Sequence, residues 1–253
     1  MSTSDGIPAA ARAGTDPLRR TALVAGVFYL LTFVSIPTLA LYGPVREPGY
    51  ITGPGPDTPV IVGGVLEMVV ALAGIGTAVV LYPVVKRQNE AAALGFVGTR
   101  VLEAGTIVMC VVSLLSVVSL RRAGAGADAL PTAQALVAFH DWVFLLGQGT
   151  IPAVNALLLG SLLYRSRLVP RVLPVLGLIG APLLLASVAA TLFDVWGQVS
   201  AMSALCALPI AVWEFSLGVY LLVAGFRPSP VIAGTPLGNQ SEISGNDDET
   251  IRI

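Results

Sequence analysis

The stretch TRVLEAGTIVMCVVSLLSVVSL, residues 99–120, is apolar enough to lie in lipid, yet it opens with Arg100 and Glu103 one helical turn apart. About 20 apolar residues are what a helix needs to cross a hydrocarbon core of ~30 Å. A charged side chain at mid-membrane depth costs roughly 2.5–3.5 kcal/mol, so a chain that keeps such groups turns them toward its own interior. The pair therefore reads as part of the inside of a helix bundle. The same pattern returns as VLE at residues 65–67 and VWE at residues 212–214, which extends the question to the whole chain.

Working outward, 55% of the 253 residues are hydrophobic and only 11% are charged, against roughly 25% charged in soluble domains. This composition belongs to the membrane class. A formal net charge of −1 offers nothing to a polyanion, so no nucleic-acid partner is expected. Cys110 and Cys206 each lie within an apolar run and read as small packing residues. Basic residues are almost all Arg, with Lys86 the exception, a bias that suggests a GC-rich bacterial genome.

Apolar segments at residues 21–41, 59–85, 91–120, 133–164, 170–193 and 201–226 predict six transmembrane helices and an all-α, polytopic fold. Residues 1–20 and 227–253 are polar and are expected to be disordered, leaving residues 21–226 as the membrane domain. The first apolar segment exceeds the 7–15 residues of a signal-peptide core and reads as a retained helix. The Gly/Pro-rich piece YGPVREPGYITGPGPDTP, residues 42–59, reads as a loop that is not helical.

Counted by side, ten basic residues (Arg12, Arg19, Arg20, Lys86, Arg87, Arg165, Arg167, Arg171, Arg227 and Arg252) face three (Arg46, Arg121 and Arg122). The positive-inside rule then places both termini in the cytoplasm, and the expected location is a bacterial cytoplasmic membrane. Tyr42, Trp142 and Trp196 read as an outer aromatic belt, and Tyr82, Tyr164 and Phe226 as an inner one. Helices one to three and four to six would cross in opposite senses, as in an inverted repeat. LLTFVSIP at residues 30–37 and LLGQGTIP at residues 145–152 are a local echo of such a repeat.

Four charged residues fall at membrane depth: Glu67, Arg100, Glu103 and Glu214. Arg100 and Glu103 share a helix face and can pair. If all three glutamates met that arginine, one cation would face three anions, and a proton or a bound cation would be needed. Two readings follow: a polar network that locks helices together, or a site for a proton, a cationic ligand or a polar head group.

The fourth helix carries Gln134, Asp141, Gln148 and Asn155 at intervals of seven, which holds them near one face. Such a stripe either borders a water-filled cavity or supplies interhelical hydrogen bonds. Gly147, Gly149 and Pro152 predict a kink in the same helix, and Pro182 another in the fifth. His140 and Asp141 are expected to form a hydrated pair at the outer interface, with a pH-sensitive gate as the alternative. Gly64, Ala71, Gly74 and Ala78 around Glu67 suggest a close helix contact there rather than an open pocket. One histidine excludes histidine-rich metal sites, and no nucleotide-binding, hydrolase or metalloprotease motif is present. No cofactor and no catalytic residue are therefore assigned.

The segment FHDWVFLLGQGTIPAVNALLLGSLLYRSRLVPRVLPVLGLIG, residues 139–180, with His140-Asp141, Gly160, Leu163-Tyr164-Arg165-Ser166, Pro170-Arg171 and Leu176-Gly177, resembles the signature region of an uncharacterised bacterial membrane-protein family, domain of unknown function 4386. The TRVLEA segment is similar to that family's arginine-containing segment, while Pro174 departs from the glycine expected there. The resemblance implies a six-helix integral membrane protein and carries no activity with it. The expected function is binding or transport of a small ligand or proton through a core of Glu67, Arg100, Glu103, Asp141, Gln148 and Glu214; the alternative is a scaffold or regulatory subunit. An intramembrane enzyme acting on lipid is a third class, against which the missing motifs weigh.

Overall fold

A computed structural model describes residues 17–47 and 49–229. These contain nine α-helices and two short 3-10 turns, with no strand among the described residues. They run α1 Pro17–Leu31, α2 Thr38–Leu41, α3 Gly43–Arg46, α4 Thr58–Val85, α5 Glu90–Arg122, α6 Leu130–Leu146, α7 Ile151–Ser166, α8 Val172–Leu192 and α9 Ala201–Val223. Grouped by hydropathy they make six spans long and apolar enough to cross a bilayer: Pro17–Leu41, Thr58–Val85, Glu90–Arg122, Gly126–Ser166, Val172–Leu192 and Ala201–Val223.

Local chemistry sets the ends. Asn89 caps α5 by accepting from Ala92 N at 2.9 Å, with Glu90 in its first turn and Arg121 and Arg122 in its last, the polarity that favours the helix dipole. Ser200 caps α9 in the same way. At the other end of α9, Arg19 donates to the carbonyls of Leu221, Leu222 and Val223 at 2.9–3.1 Å, satisfying groups a helix terminus leaves open.

The spans form a closed ring in chain order: α1 packs on α4, α4 on α5, α5 on α6 and α7, α7 on α8, α8 on α9, and α9 returns to α1. Closure needs small residues. A methyl at Gly26 would come within 2.8 Å of the Gly218 carbonyl oxygen, so only glycine lets the α1 and α9 backbones approach this closely. Trp213, Leu217 and Phe96 are fully buried in the resulting core.

The first span, read as a continuous helix, and the fourth, read as kinked, are both interrupted. The first leaves α1 after Leu31 for a 3-10 turn at Thr32–Ser35, and the fourth breaks into a turn at residues 147–150 between α6 and α7. Both breaks coincide with the echoing segments LLTFVSIP and LLGQGTIP. Gly147 lets the second break lie against α5, because a methyl there would sit 2.5 Å from Thr106 Oγ1. Pro152 follows in the first turn of α7, where its missing N–H costs nothing. By contrast α8 runs through Pro182 without interruption.

Smaller corrections concern the connections. Gly43–Arg46 is one helical turn inside the piece read as non-helical. The tails expected to be disordered at residues 1–20 and 227–253 lie mostly outside the described residues, but their described parts are ordered. Residues 17–20 begin α1, Arg227 N donates to Leu168 O at 2.8 Å, and Ser229 Oγ donates to Ser166 O at 2.6 Å.

Candidate functional site: an arginine bridge above a central cavity

The i, i+3 spacing that made Arg100 and Glu103 readable as a pair brings them together: Arg100 Nη1 donates to Glu103 Oε2 at 2.9 Å. Its second nitrogen, Nη2, donates to Glu214 Oε1 at 2.6 Å, linking α5 to α9 across the ring. The guanidinium is walled by the rings of Tyr29 and Phe96, whose centroids lie 5.6 and 5.7 Å from Cζ, distances at which a ring face attracts a cation. Asn155 of α7 donates from Nδ2 to Glu103 Oε2 at 2.8 Å and accepts from the Thr99 hydroxyl. Arg100 Nε and Tyr29 Oη are buried without a well-aligned hydrogen-bond partner among the described residues.

The bridge sits on a cavity of about 250 Å³. Arg100, Glu103 and Glu214 meet there with Thr32 and Ser35 from the first helix break and Gln148 from the second. Side-chain exposure is 3% for Arg100 but 12% for Glu103 and 14% for Glu214, so the carboxylates, not the guanidinium, present themselves to whatever occupies the cavity. Two carboxylates against one guanidinium leave one excess negative charge when all are ionised.

Glu67 is not part of this cluster, which corrects the expectation of three glutamates around one arginine. Neither is it sealed in a tight helix contact. It borders a separate cavity of about 420 Å³, nearer the Asp57 end of the ring, together with Tyr42, Arg46, His140 and Asp141. Periodicity places Glu67 on an inward face of α4, but the azimuth of that face points to the loop after the first span instead of to α5.

Around this second cavity His140 Nδ1 lies 2.9 Å from Asp141 Oδ1, and Arg46 grips Asp141 with two bonds of 2.9 and 2.7 Å. His140 is only 3% exposed, packed between the Tyr42 ring at 5.8 Å and the Phe144 ring at 6.1 Å. The hydrated pair read from the sequence is thus half right, since Asp141 keeps 37% of its side-chain surface and His140 keeps almost none. Tyr42, read as part of an aromatic belt, is likewise buried; burial, and then the nearby Glu67, push its hydroxyl pKa up.

A third cavity of about 500 Å³ joins the other two by shared walls. It has Phe144 and Gln148 in common with the central cavity, and Leu39, Phe144 and Gln198 in common with the one at Glu67. The stripe on the fourth span therefore descends through the molecule: Asp141 at the second cavity, Gln148 between cavities, Asn155 on the central bridge. It serves as cavity lining at Asp141 and Gln148 and as interhelical glue at Asn155.

A family model described as domain of unknown function (DUF4386) matches residues 24–225. The chain belongs to this family. No curated protein and no solved structure matches the chain. For this DUF4386 member the matched region takes in every residue of the bridge and of the three cavities.

Several residues of the site and its surroundings escaped the sequence reading. Tyr29 and Thr99 are ordinary residues of apolar helices until the ring closes on Arg100. Asp57 was passed over as loop, yet it binds Arg121 and Arg122, with Nε to oxygen distances of 2.8 and 2.7 Å, and accepts from Tyr50 Oη at 2.7 Å. Desolvation opposes its charge, but these donors hold the Asp57 carboxyl well below the usual carboxylate range. Burial, with Asp57 as hydrogen-bond partner, pushes Tyr50 up to about 12. Among the described residues no group of three or more His, Cys, Asp or Glu is placed to hold a metal.

Proposed function

We propose that this membrane protein binds a proton or a small monovalent cation at Glu103 and Glu214 and exchanges it with one side of the bilayer. One observation carries the reading: the two broken spans, which cross in opposite senses and share the echoing segments, both border the cavity that holds the excess negative charge. Interrupted helices beside a buried charged site are a recurring feature of transporters built from inverted repeats. Arg100 positions the two carboxylates, and Gln148 with Asp141 lines the approach. The ten-to-three distribution of basic residues supports cytoplasmic termini and an approach that opens outward; with the Arg-rich composition it also supports a bacterial cytoplasmic membrane.

The test is thermal unfolding of purified protein in nanodiscs with sodium, potassium, ammonium, methylammonium and guanidinium chlorides at equal ionic strength, together with pH-jump flux in dye-loaded proteoliposomes. Stabilisation that grows with the logarithm of one cation's concentration, or proton flux, is expected in the wild type and absent from Glu103→Gln and Glu214→Gln. Responses equal in wild type and variants overturn the proposal. A second reading, in which the charges only lock helices, draws on Arg100 contacting both carboxylates directly; it predicts loss of folded protein in both variants and no cation response.

A further inference from the structure

Three residues that line the cavity at Glu67 each keep a buried polar atom unsatisfied among the described residues: Glu67 Oε2, Tyr42 Oη and His140 Nε2. Their residues are 3–4% exposed. Buried polar atoms without partners are rare and costly. Three of them lining one cavity describe a site that lacks its ligand's hydrogen bonds.

The surrounding contacts define what each atom offers. His140 Nδ1 faces Asp141 Oδ1 at 2.9 Å, the shorter of its two polar contacts, so that nitrogen carries the proton and Nε2 of the neutral ring presents a lone pair. Arg46 neutralises Asp141 through its two-bond grip, so Glu67, once ionised, has no counter-ion of its own among the described residues of the cavity. Tyr42 and Glu67 lie close enough to interact, yet Tyr42 Oη and Glu67 Oε2 each lack a well-aligned hydrogen-bond partner among the described residues.

We propose that this cavity binds a primary ammonium, the head of an alkyl or arylalkyl amine. Such a head has three N–H donors and one positive charge, enough to donate to each of the three atoms and to balance the Glu67 carboxylate. Tyr42 and Phe144, the rings that enclose His140, add aromatic walls of the kind that attract cations. With a volume of about 420 Å³ and Leu39, Phe144 and Val199 in its lining, the cavity has apolar room for the amine's carbon chain. The assignment rests on residues other than those of the central bridge and stands whether or not that bridge binds a cation.

The experiment is calorimetric titration of the full-length protein in nanodiscs at pH 8 with n-butylammonium chloride, and in parallel with butyltrimethylammonium chloride, which has the charge and no N–H. Wild type should bind the primary amine at millimolar concentration or below, and bind the quaternary one at least about tenfold more weakly, since charged hydrogen bonds are lost. Glu67→Gln should weaken n-butylammonium by at least about tenfold, and the conservative Tyr42→Phe by about fivefold. The Glu103→Gln, Glu214→Gln double variant should bind it as wild type does. Absence of binding, equal binding of the two amines, wild-type binding by Glu67→Gln, or loss confined to the double variant each overturns the assignment. Because the Glu67 and Glu103/Glu214 variants are read separately, failure here is distinguishable from failure of the central-site proposal.

Discussion

Arg100 donates to Glu214 at 2.6 Å although α5 and α9 are not neighbours in the ring. The guanidinium crosses the middle of the bundle, and among the described residues the carboxylates on either side have it as their only cationic contact. Removing the arginine alone leaves two buried anions facing each other.

Arg100→Met should therefore be strongly destabilising, by roughly 3–5 kcal/mol, the usual cost of orphaning a buried charge. Combining it with Glu103→Gln and Glu214→Gln should recover most of that loss, because the variant no longer buries an unpaired charge. Denaturant or thermal unfolding in detergent measures both. A harmless Arg100→Met would mean that the bridge contributes nothing to the fold.

Asp57 gives the fold an acid-sensitive contact. Its folded-state pKa lies below the ordinary 3.8, so its contribution is present in full above about pH 5 and is lost as pH falls past that ordinary value toward the folded one. Melting temperature measured from pH 7 to pH 3 should drop more steeply for wild type than for Asp57→Asn. Tyr50 has the opposite sign: raised from 10.0 to about 12, it contributes below pH 10 and loses that contribution as pH rises through about 12. Tyr50→Phe should flatten the alkaline limb, and identical profiles for wild type and variant would rule this out.

The legible and illegible parts of the molecule separate on physical grounds. Span positions could be read because a bilayer demands a minimum apolar length, and the Arg100–Glu103 pair because i, i+3 residues meet on any helix. Glu67 was misplaced because periodicity gives the face of a helix but not which neighbour that face meets; in the ring it meets Tyr42 and His140. The burial of His140 arises from Phe144 one turn along α6 and from Tyr42, which lies 98 residues earlier in the chain. Of the two broken spans, the fourth was foreshadowed by Gly147, Gly149 and Pro152. The first had only Pro37 and its likeness to residues 145–152, and it took the shared cavity to give that likeness a meaning.

Orientation can be tested at the connections. In a cysteine-free background made by Cys110→Ala and Cys206→Ala, Ala127→Cys in the exposed turn after α5 should react with a membrane-impermeant maleimide on intact cells. Lys86→Cys, exposed at the end of α4, should react only after permeabilisation. The reverse pattern would place the ten-residue basic set outside and break the positive-inside rule for this chain.

Gln148 stands where the central cavity and the one beside it share a wall. It is half-buried, and among the described residues its one polar side-chain contact is a long 4.0 Å approach to Cys110 Sγ, so little of the fold depends on it. On the proposed approach by way of Gln148, a bulkier apolar residue there narrows the way while Arg100, Glu103 and Glu214 themselves stay unchanged. A constriction raises the barrier in both directions while leaving the end states alone. Gln148→Phe should accordingly slow both association and release of a stabilising cation at the central bridge, with nearly unchanged Kd. Stopped-flow tryptophan fluorescence after a cation jump reads these rates. n-Butylammonium, bound on the near side of the constriction at Glu67, should keep wild-type kinetics. Unaltered rates at the central site would show that cations reach Glu103 and Glu214 by another route.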